Sequence, residues 1–191
     1  YRLFRVALAR RMLQGADRLV FVSESFRQDV LRVTPFDIGR SCVIHHGVAD
    51  FFRDTSSGPP LPVNLRNRPF ILGVSTVAPH KNYRSLFEAF SLLVRRGMEL
   101  DLAIVGGIRS HQYQHIMTEA CKLGLADRVH FLGVIDHSLL PVLYRACQVF
   151  VFPSLVESFG LPLVEAMAAG APVLASNLPV CREMCIDAAQ Y

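Results

Sequence analysis

Val149–Gly170 reads VFVFPSLVESFGLPLVEAMAAG, and its parts decide the fold. Val149–Phe152 is a β-branched and aromatic run ending at Pro153. Apolar strands without polar alternation belong in a parallel sheet buried on both faces. A loop carrying Glu157 and Gly160 comes next, and then a helix is predicted over 161–169, with Gly170 as its C′ residue. Pro162 suits the first helical position, where its missing N–H costs nothing. The N–H groups around Phe159–Leu163 then face outward with the positive end of the helix dipole, a seat for a phosphate. Gly160 lets a backbone approach a ligand closely. Glu165 falls, in this reading, in the first helical turn, where the dipole favours a carboxylate. One carboxylate can also accept from two adjacent hydroxyls of a diol. The plain alternative is a strand-to-helix turn shaped by Gly and Pro, with Glu157 a solvated loop residue. Spacing alone leaves both open.

Outward from this stretch the same pattern repeats. Strands are expected at Phe70–Val74, Leu100–Val105, Val129–Leu132 and, last, Pro172–Ala175. Helices are expected at Asn82–Arg96, His111–Leu123 and Leu139–Cys147. Alternation at this spacing predicts an α/β fold, a Rossmann-like parallel sheet flanked by helices. Ligands of such sheets bind beyond the carboxyl ends of the strands. The unusual residues gather there: Ser75, Thr76 and Lys81 after one strand, Gly106 and Gly107 after the next, Gly133 after the third, and Pro153, Ser154, Glu157 and Gly160 after the fourth. Lys81 can reach diphosphate oxygens as a point charge.

Ahead of this region, Leu19–Ser23 and Val43–Val48 read as short strands around a helix at Glu24–Val33. Asp54–Pro62, rich in Ser, Gly and Pro, reads as a linker, with a domain boundary near Asn64. The chain begins at Tyr1 and ends at Tyr191 with no final helix after Asp187, which reads as a piece of a longer protein.

Composition bounds the function. Over 191 residues, 51% are hydrophobic and 19% charged, enough for a sizeable core. No apolar run approaches the roughly 18 residues of a membrane span, and no secretory signal opens the chain. A cytoplasmic protein is expected, with a peripheral contact at the inner membrane face as an option. The +4 net charge comes almost wholly from arginine. Arg2, Arg5, Arg10, Arg11 and Arg18, interleaved with Leu3, Phe4, Val6 and Leu8, make a basic amphipathic stretch. It suits an anionic membrane surface or an ordinary helix with a solvated face. No nucleic acid partner is expected, since no aromatic-studded basic sheet is present. Among the cysteines, Cys121 and Cys147 sit among apolar neighbours and read as buried thiols, and no structural disulfide is expected.

Other chemistries lose support. There is no G-x-G-x-x-G, Walker A loop or G-x-S-x-G elbow. His111 and His115 have a helical metal-pair spacing, but Gln112 stands where a metalloprotease has its base and no third ligand is evident. No metal and no cofactor are expected.

PSLVESFGLPLVEAMAAGAPVLASN (153–177) resembles the long signature P-S-x-x-E-x-F-G-L-P-x-x-E-A-M-A-x-G-x-P-V of the retaining GT-B glycosyltransferases of family 4. GVSTVAPHKN (73–82) resembles that family's phosphate segment, and DRVHFLGVIDHSLLPVLYRA (127–146) the run between them. ADRLVFVSESFRQDV (16–30) and VIHHGV (43–48) resemble the close of its acceptor domain and the interdomain strand. The resemblance implies a GT-B fold, with residues 1–63 the tail of the N-terminal acceptor domain and linker, and 64–191 a donor domain truncated at its end. It implies transfer of a sugar from a nucleotide-sugar, GDP-mannose or a UDP-sugar, to a glycan or lipid-linked acceptor with retention and without a metal. Glu165 would hold the ribose hydroxyls and Glu157 the donor sugar. Lys81, with N–H groups near Phe159–Leu161, would hold the diphosphate and stabilise it as it leaves. Ser75, Thr76, Gly106, Gly133 and Ser158 would complete the donor site.

The chain departs from the pattern at several positions. Thr76 stands for a frequent arginine, His80 for the Arg of Arg-Lys, Ser158 for a glycine and His46 for an asparagine. Glu183 and Asp187 match P-E-x-x-G-D-A-A, with Arg182 and Ile186 in place of its Pro and Gly. Two further readings stay open: a nucleotide-sugar-binding module without transfer of its own, and a non-sugar nucleotide binder, which fits the sheet but not the paired glutamates.

Overall fold

β1 (Leu19–Phe21) and β2 (Ser41–Val43) pair in parallel around helix α1 (Glu24–Val33). The computed structural model describes residues 10–55, 58–66, 68–107 and 110–191, with backbone alone at 110–112. After residue 69 strand and helix alternate: β3 (Phe70–Val74), α2 (Tyr83–Arg95), β4 (Asp101–Val105), α3 (Ser110–Lys122), β5 (Val129–Gly133), α4 (Leu140–Ala146), β6 (Val149–Phe152), α5 (Leu161–Ala168), β7 (Val173–Ala175), α6 (Pro179–Cys185) and β8 (Ala189–Gln190). These strands form one 6-stranded sheet in the order β5-β4-β3-β6-β7-β8, and every pair is parallel. The α/β fold read from the sequence is the observed one. The chain winds outward from β3 to β5, returns to the other side of β3 with β6, and winds outward again. The reversal between β3 and β6 is the topological switch point, where loops leave a crevice beyond the carboxyl ends.

Strand periodicity of two divides the core into two layers. Phe70, Leu72, Phe150 and Phe152 point to one face, against Leu143, Tyr144, Leu163, Ala166 and Cys181 of α4, α5 and α6. Ile71, Leu102, Ile104 and Val151 point to the other, against Phe87 and Phe90 of α2 and Ala120 of α3. Close contact between neighbouring strands extends past their ends. Gly106 adopts φ +137°, and a Cβ there would lie 2.1 Å from the Ser75 carbonyl oxygen, so only glycine lets the end of β4 pass the loop after β3 this closely. Phe52 and Leu65 flank the expected linker and are themselves buried in the first layer.

Four expectations are corrected. The strand at Val43–Val48 ends at Val43, because β1 offers partners only as far as Phe21; one further bond, from the Ile44 N–H to the Phe21 carbonyl at 2.9 Å, closes the ladder. Pro172–Ala175 is not the last strand: β8 pairs beyond β7. A helix does follow it, α6, which the sequence reading missed because Pro179 opens it and it is only 7 residues long. Cys121 is exposed, while Cys147, Cys181 and Cys185 are buried. The 3.6-residue period turns Ala120 inward and so carries Cys121 to the solvent side of α3. Arg2 and Arg5 of the basic stretch lie outside the described residues, whereas Arg10 and Arg11 are exposed. Among the described residues no helix is long and apolar enough to cross a membrane.

Candidate functional site

The loops after β3 and β6 meet across the switch point. Pro79–Lys81 makes a single 3-10 turn, closed by Asn82 at φ 56°, ψ 36°, a left-handed conformation that asparagine tolerates. This turn aims Lys81 across the crevice, where its Nζ forms an ion pair with Glu157 Oε1. The two side chains are only 16% and 11% exposed. Glu157 is therefore not a solvated loop residue. The Phe152 ring lies under the ammonium, 5.8 Å from its centroid, and the Leu155 N–H donates to the His80 carbonyl at 2.8 Å.

Backbone bonds bring the other predicted loops alongside. The Gly106 N–H donates to the Gly133 carbonyl at 2.8 Å, and the Val77 N–H to the Gly107 carbonyl at 2.9 Å. Ser75 sits between them, its hydroxyl 2.8 Å from the Tyr83 hydroxyl. Burial pushes the Tyr83 phenol up to about 12, so this pair stays neutral. Thr76 is exposed at the same edge.

At the start of α5, Gly160 takes φ +88°, and the N–H groups of Phe159, Gly160 and Leu161 have no acceptor among the described residues. The expected donor set is narrower than Phe159–Leu163. The Leu163 N–H already donates to the Gly160 carbonyl at 2.9 Å, and Pro162 has none to give. Three such N–H groups at the positive end of a helix, beginning two residues after the carboxylate that Lys81 engages, make a seat for an anion. The Phe159 ring is buried beneath His46, whose ring stands edge-on at 5.0 Å, and beside His45. Ser158 turns its own side chain to solvent while its carbonyl accepts from Ser23.

Glu165 needs a correction. α5 begins at Leu161, so Glu165 is its fifth residue and lies in the second turn. The dipole at the helix start is not what supports it. Instead, Oε2 accepts from the Tyr144 hydroxyl at 3.1 Å, and Oε1 lies 3.9 Å from His137 Nε2. Burial raises the carboxyl above its ordinary value, outweighing the Tyr144 hydrogen bond and the nearby His137. One oxygen is thus held from behind by a buried phenol while the other has no hydrogen bond among the described residues.

Sequence reasoning missed Tyr144, His137 and Ser23, and gave Glu183 no role. Tyr144 and Glu165 are 21 residues apart on different helices, and Ser23 and Ser158 are 135 apart. No local signal joins such pairs. His115 is exposed on α3, and the His111 side chain lies outside the described residues. Among the described residues no group of three or more His, Cys, Asp or Glu side chains is placed to hold a metal ion. The arrangement can bind an anion at α5, a cation-seeking oxygen at Lys81, and a diol at Glu165.

The sequence and the fold both resemble those of known proteins. The family model described as Glycosyl transferases group 1 matches residues 62–190. The O-antigen chain mannosyltransferase B of Escherichia coli is 29% identical over 181 residues, covering 92% of this chain and 47% of its own length. The serotype-specific mannosyltransferase WbdA of Escherichia coli is 31% identical over 172 residues, covering 86% of this chain and 21% of its own length. Among solved structures, Anabaena HepE in complex with UDP and glucose superposes with a TM-score of 0.80 at 23% identity, over 94% of this chain and 50% of its own. The chain thus spans half or less of the length of these relatives.

Proposed function

The chain belongs to the Glycosyl transferases group 1 family, and from that premise we propose that it is the donor-binding side of a glycosyltransferase using a nucleotide-sugar. The observation that carries this is the switch-point crevice. The loops after β3 and β6 pair Lys81 with Glu157 there, and α5 adds three N–H groups with no acceptor among the described residues and, one turn on, the carboxylate of Glu165. A nucleoside diphosphate sugar presents the matching groups: a ribose diol for Glu165, a diphosphate for Lys81 and the Phe159–Leu161 N–H groups, and sugar hydroxyls for Glu157.

In the proposed transfer the anomeric C–O bond to the distal phosphate breaks as an acceptor hydroxyl bonds to the same carbon. The hydroxyl proton passes to the leaving phosphate oxygen. Lys81 and the N–H groups stabilise the charge that develops on that oxygen, so the reading routes no step through a metal. Glu157 acts by holding the donor rather than as a nucleophile, because Lys81 already engages its carboxylate. Same-face attack of this kind retains the anomeric configuration. Mannose is the proposed sugar, supported by the two mannosyltransferase relatives, and GDP is the proposed nucleotide. A glycan or lipid-linked acceptor at the cytoplasmic membrane face completes the proposal.

A second reading is a donor-binding module without transfer of its own. Calorimetry against GDP-mannose and UDP-sugars tests the common premise: one nucleotide class binds, and Glu165→Ala weakens it at least tenfold. Absence of binding to both would remove the premise. Incubation with donor and lipid-linked acceptor then separates an enzyme from a module.

A further inference from the structure

The N-terminal unit packs His45 and His46 on the Phe159 ring of the donor loop and reaches the loop's backbone through the Ser23 hydroxyl. Ser23, fully buried, is the N-cap of α1: its Oγ accepts from the Phe26 N–H at 3.1 Å and donates to the Ser158 carbonyl at 2.6 Å. The carbonyl of Ser158 and the N–H of Phe159 belong to one planar trans peptide and point in opposite directions. Fixing the carbonyl therefore fixes the N–H, and drawing on the carbonyl also polarises the N–H as a donor. That N–H is among those without an acceptor among the described residues at the start of α5.

Ser23 is itself held in place by a carboxylate from α6. Glu183 Oε1 accepts from the Glu24 N–H at 2.7 Å and lies 3.1 Å from His45 Nε2. Its Oε2 accepts from the Ser25 N–H at 2.8 Å and from the Ser25 hydroxyl at 2.7 Å. The first N–H groups of a helix have no partner within it. Here Glu183 takes the first two, Ser23 Oγ the third, and the Ser23 carbonyl accepts the fourth from Arg27 at 3.1 Å. The start of α1 is thus clamped to α6 and to the donor loop together.

We propose that Ser23 is a positioning residue for the donor diphosphate, orienting the Phe159 N–H through the Ser158 peptide plane, with Glu183 holding Ser23 in register. This rests on the nucleotide-sugar reading of the crevice. Ser23 touches no ligand in it; the residue acts through the peptide.

Nuclear magnetic resonance titration of the whole chain with a nucleoside diphosphate and with the matching nucleoside tests the inference. In Ser23→Ala the diphosphate binds about tenfold more weakly, the loss of one charge-assisted hydrogen bond, while nucleoside affinity is unchanged. The Phe159 amide signal shifts before any ligand is added. Glu183→Gln, which keeps the side-chain shape and the Ser23 hydroxyl, gives the same split to a smaller degree. Equal weakening of nucleoside and diphosphate in both variants would mean general loosening and overturn the positioning role. Unchanged diphosphate affinity in Ser23→Ala would overturn it too. A wild-type chain that binds no nucleoside diphosphate at all would instead bring down the nucleotide-sugar reading, and this inference with it.

Discussion

Tyr144 donates its hydroxyl to Glu165 Oε2 at 3.1 Å from a fully buried position. The ring packs edge-on against Phe150, 5.3 Å between centroids. Packing fixes the ring, the ring fixes the hydroxyl, and the hydroxyl fixes one oxygen of the carboxylate proposed to hold the ribose. Tyr144→Phe keeps the packing and deletes only the donor. About 1 kcal/mol of net hydrogen-bond energy is at stake, so nucleotide affinity falls roughly fivefold. Calorimetry measures this, and unchanged affinity would separate Tyr144 from the site.

Glu165 also sets a pH dependence. Burial raises its pKa in the folded chain above the ordinary 4.5. The folded state therefore binds more protons than the unfolded state between the two values, and ionisation of Glu165 costs stability as pH rises through that window. Glu165→Gln is expected to leave the melting temperature at pH 7 unchanged or higher. A diol is held by the ionised form, so wild-type nucleotide affinity declines as pH falls toward the raised value, and that decline is absent in Glu165→Gln. A lower melting temperature for the variant at pH 7, with the pH dependence of binding intact, would contradict both parts.

Breaking the Lys81–Glu157 pair from one side leaves a carboxylate that is 11% exposed without its partner. Lys81→Ala is expected to cost about 2–3 kcal/mol of stability, below the ~3–5 of a fully buried pair, and to abolish measurable diphosphate binding. The double variant Lys81→Met, Glu157→Leu regains most of the stability, since an apolar pair of similar volume removes the desolvation cost, but none of the binding. Urea unfolding reads the first effect and calorimetry the second. A double variant no more stable than Lys81→Ala would show that the charge pair is not what the fold depends on here.

Ile186 sits at φ 50°, ψ −109°, a backbone conformation that favours glycine. The side chain is 69% exposed and loses little packing on removal. Ile186→Gly should relieve strain of about 1–3 kcal/mol, offset by ~0.5–1 kcal/mol of added chain entropy in the unfolded state. A net gain of about 1 kcal/mol in urea unfolding is expected; a loss would show that the turn tolerates isoleucine without strain.

Much of this was legible in the residues. Near-continuous apolar strands such as VFVF, alternating with amphipathic helices, required a two-faced parallel sheet. Lys81, Glu157 and Gly160 were readable because each lies beside a strand end, where a parallel fold concentrates its ligands. The departure at Ile186 was visible as well, though its cost emerged only with the backbone angle.

Tertiary structure decided the rest. It turned Glu157 from a loop carboxylate into the partner of a lysine 76 residues away. It moved the support of Glu165 from a helix dipole to the phenol of Tyr144, set Ser23 against the Ser158 carbonyl and put Glu183 at the start of α1. Local sequence specifies backbone period and burial, because these depend on neighbours within a few turns. Hydrogen-bond partners across a crevice depend on how whole elements pack, and no spacing along the chain records that.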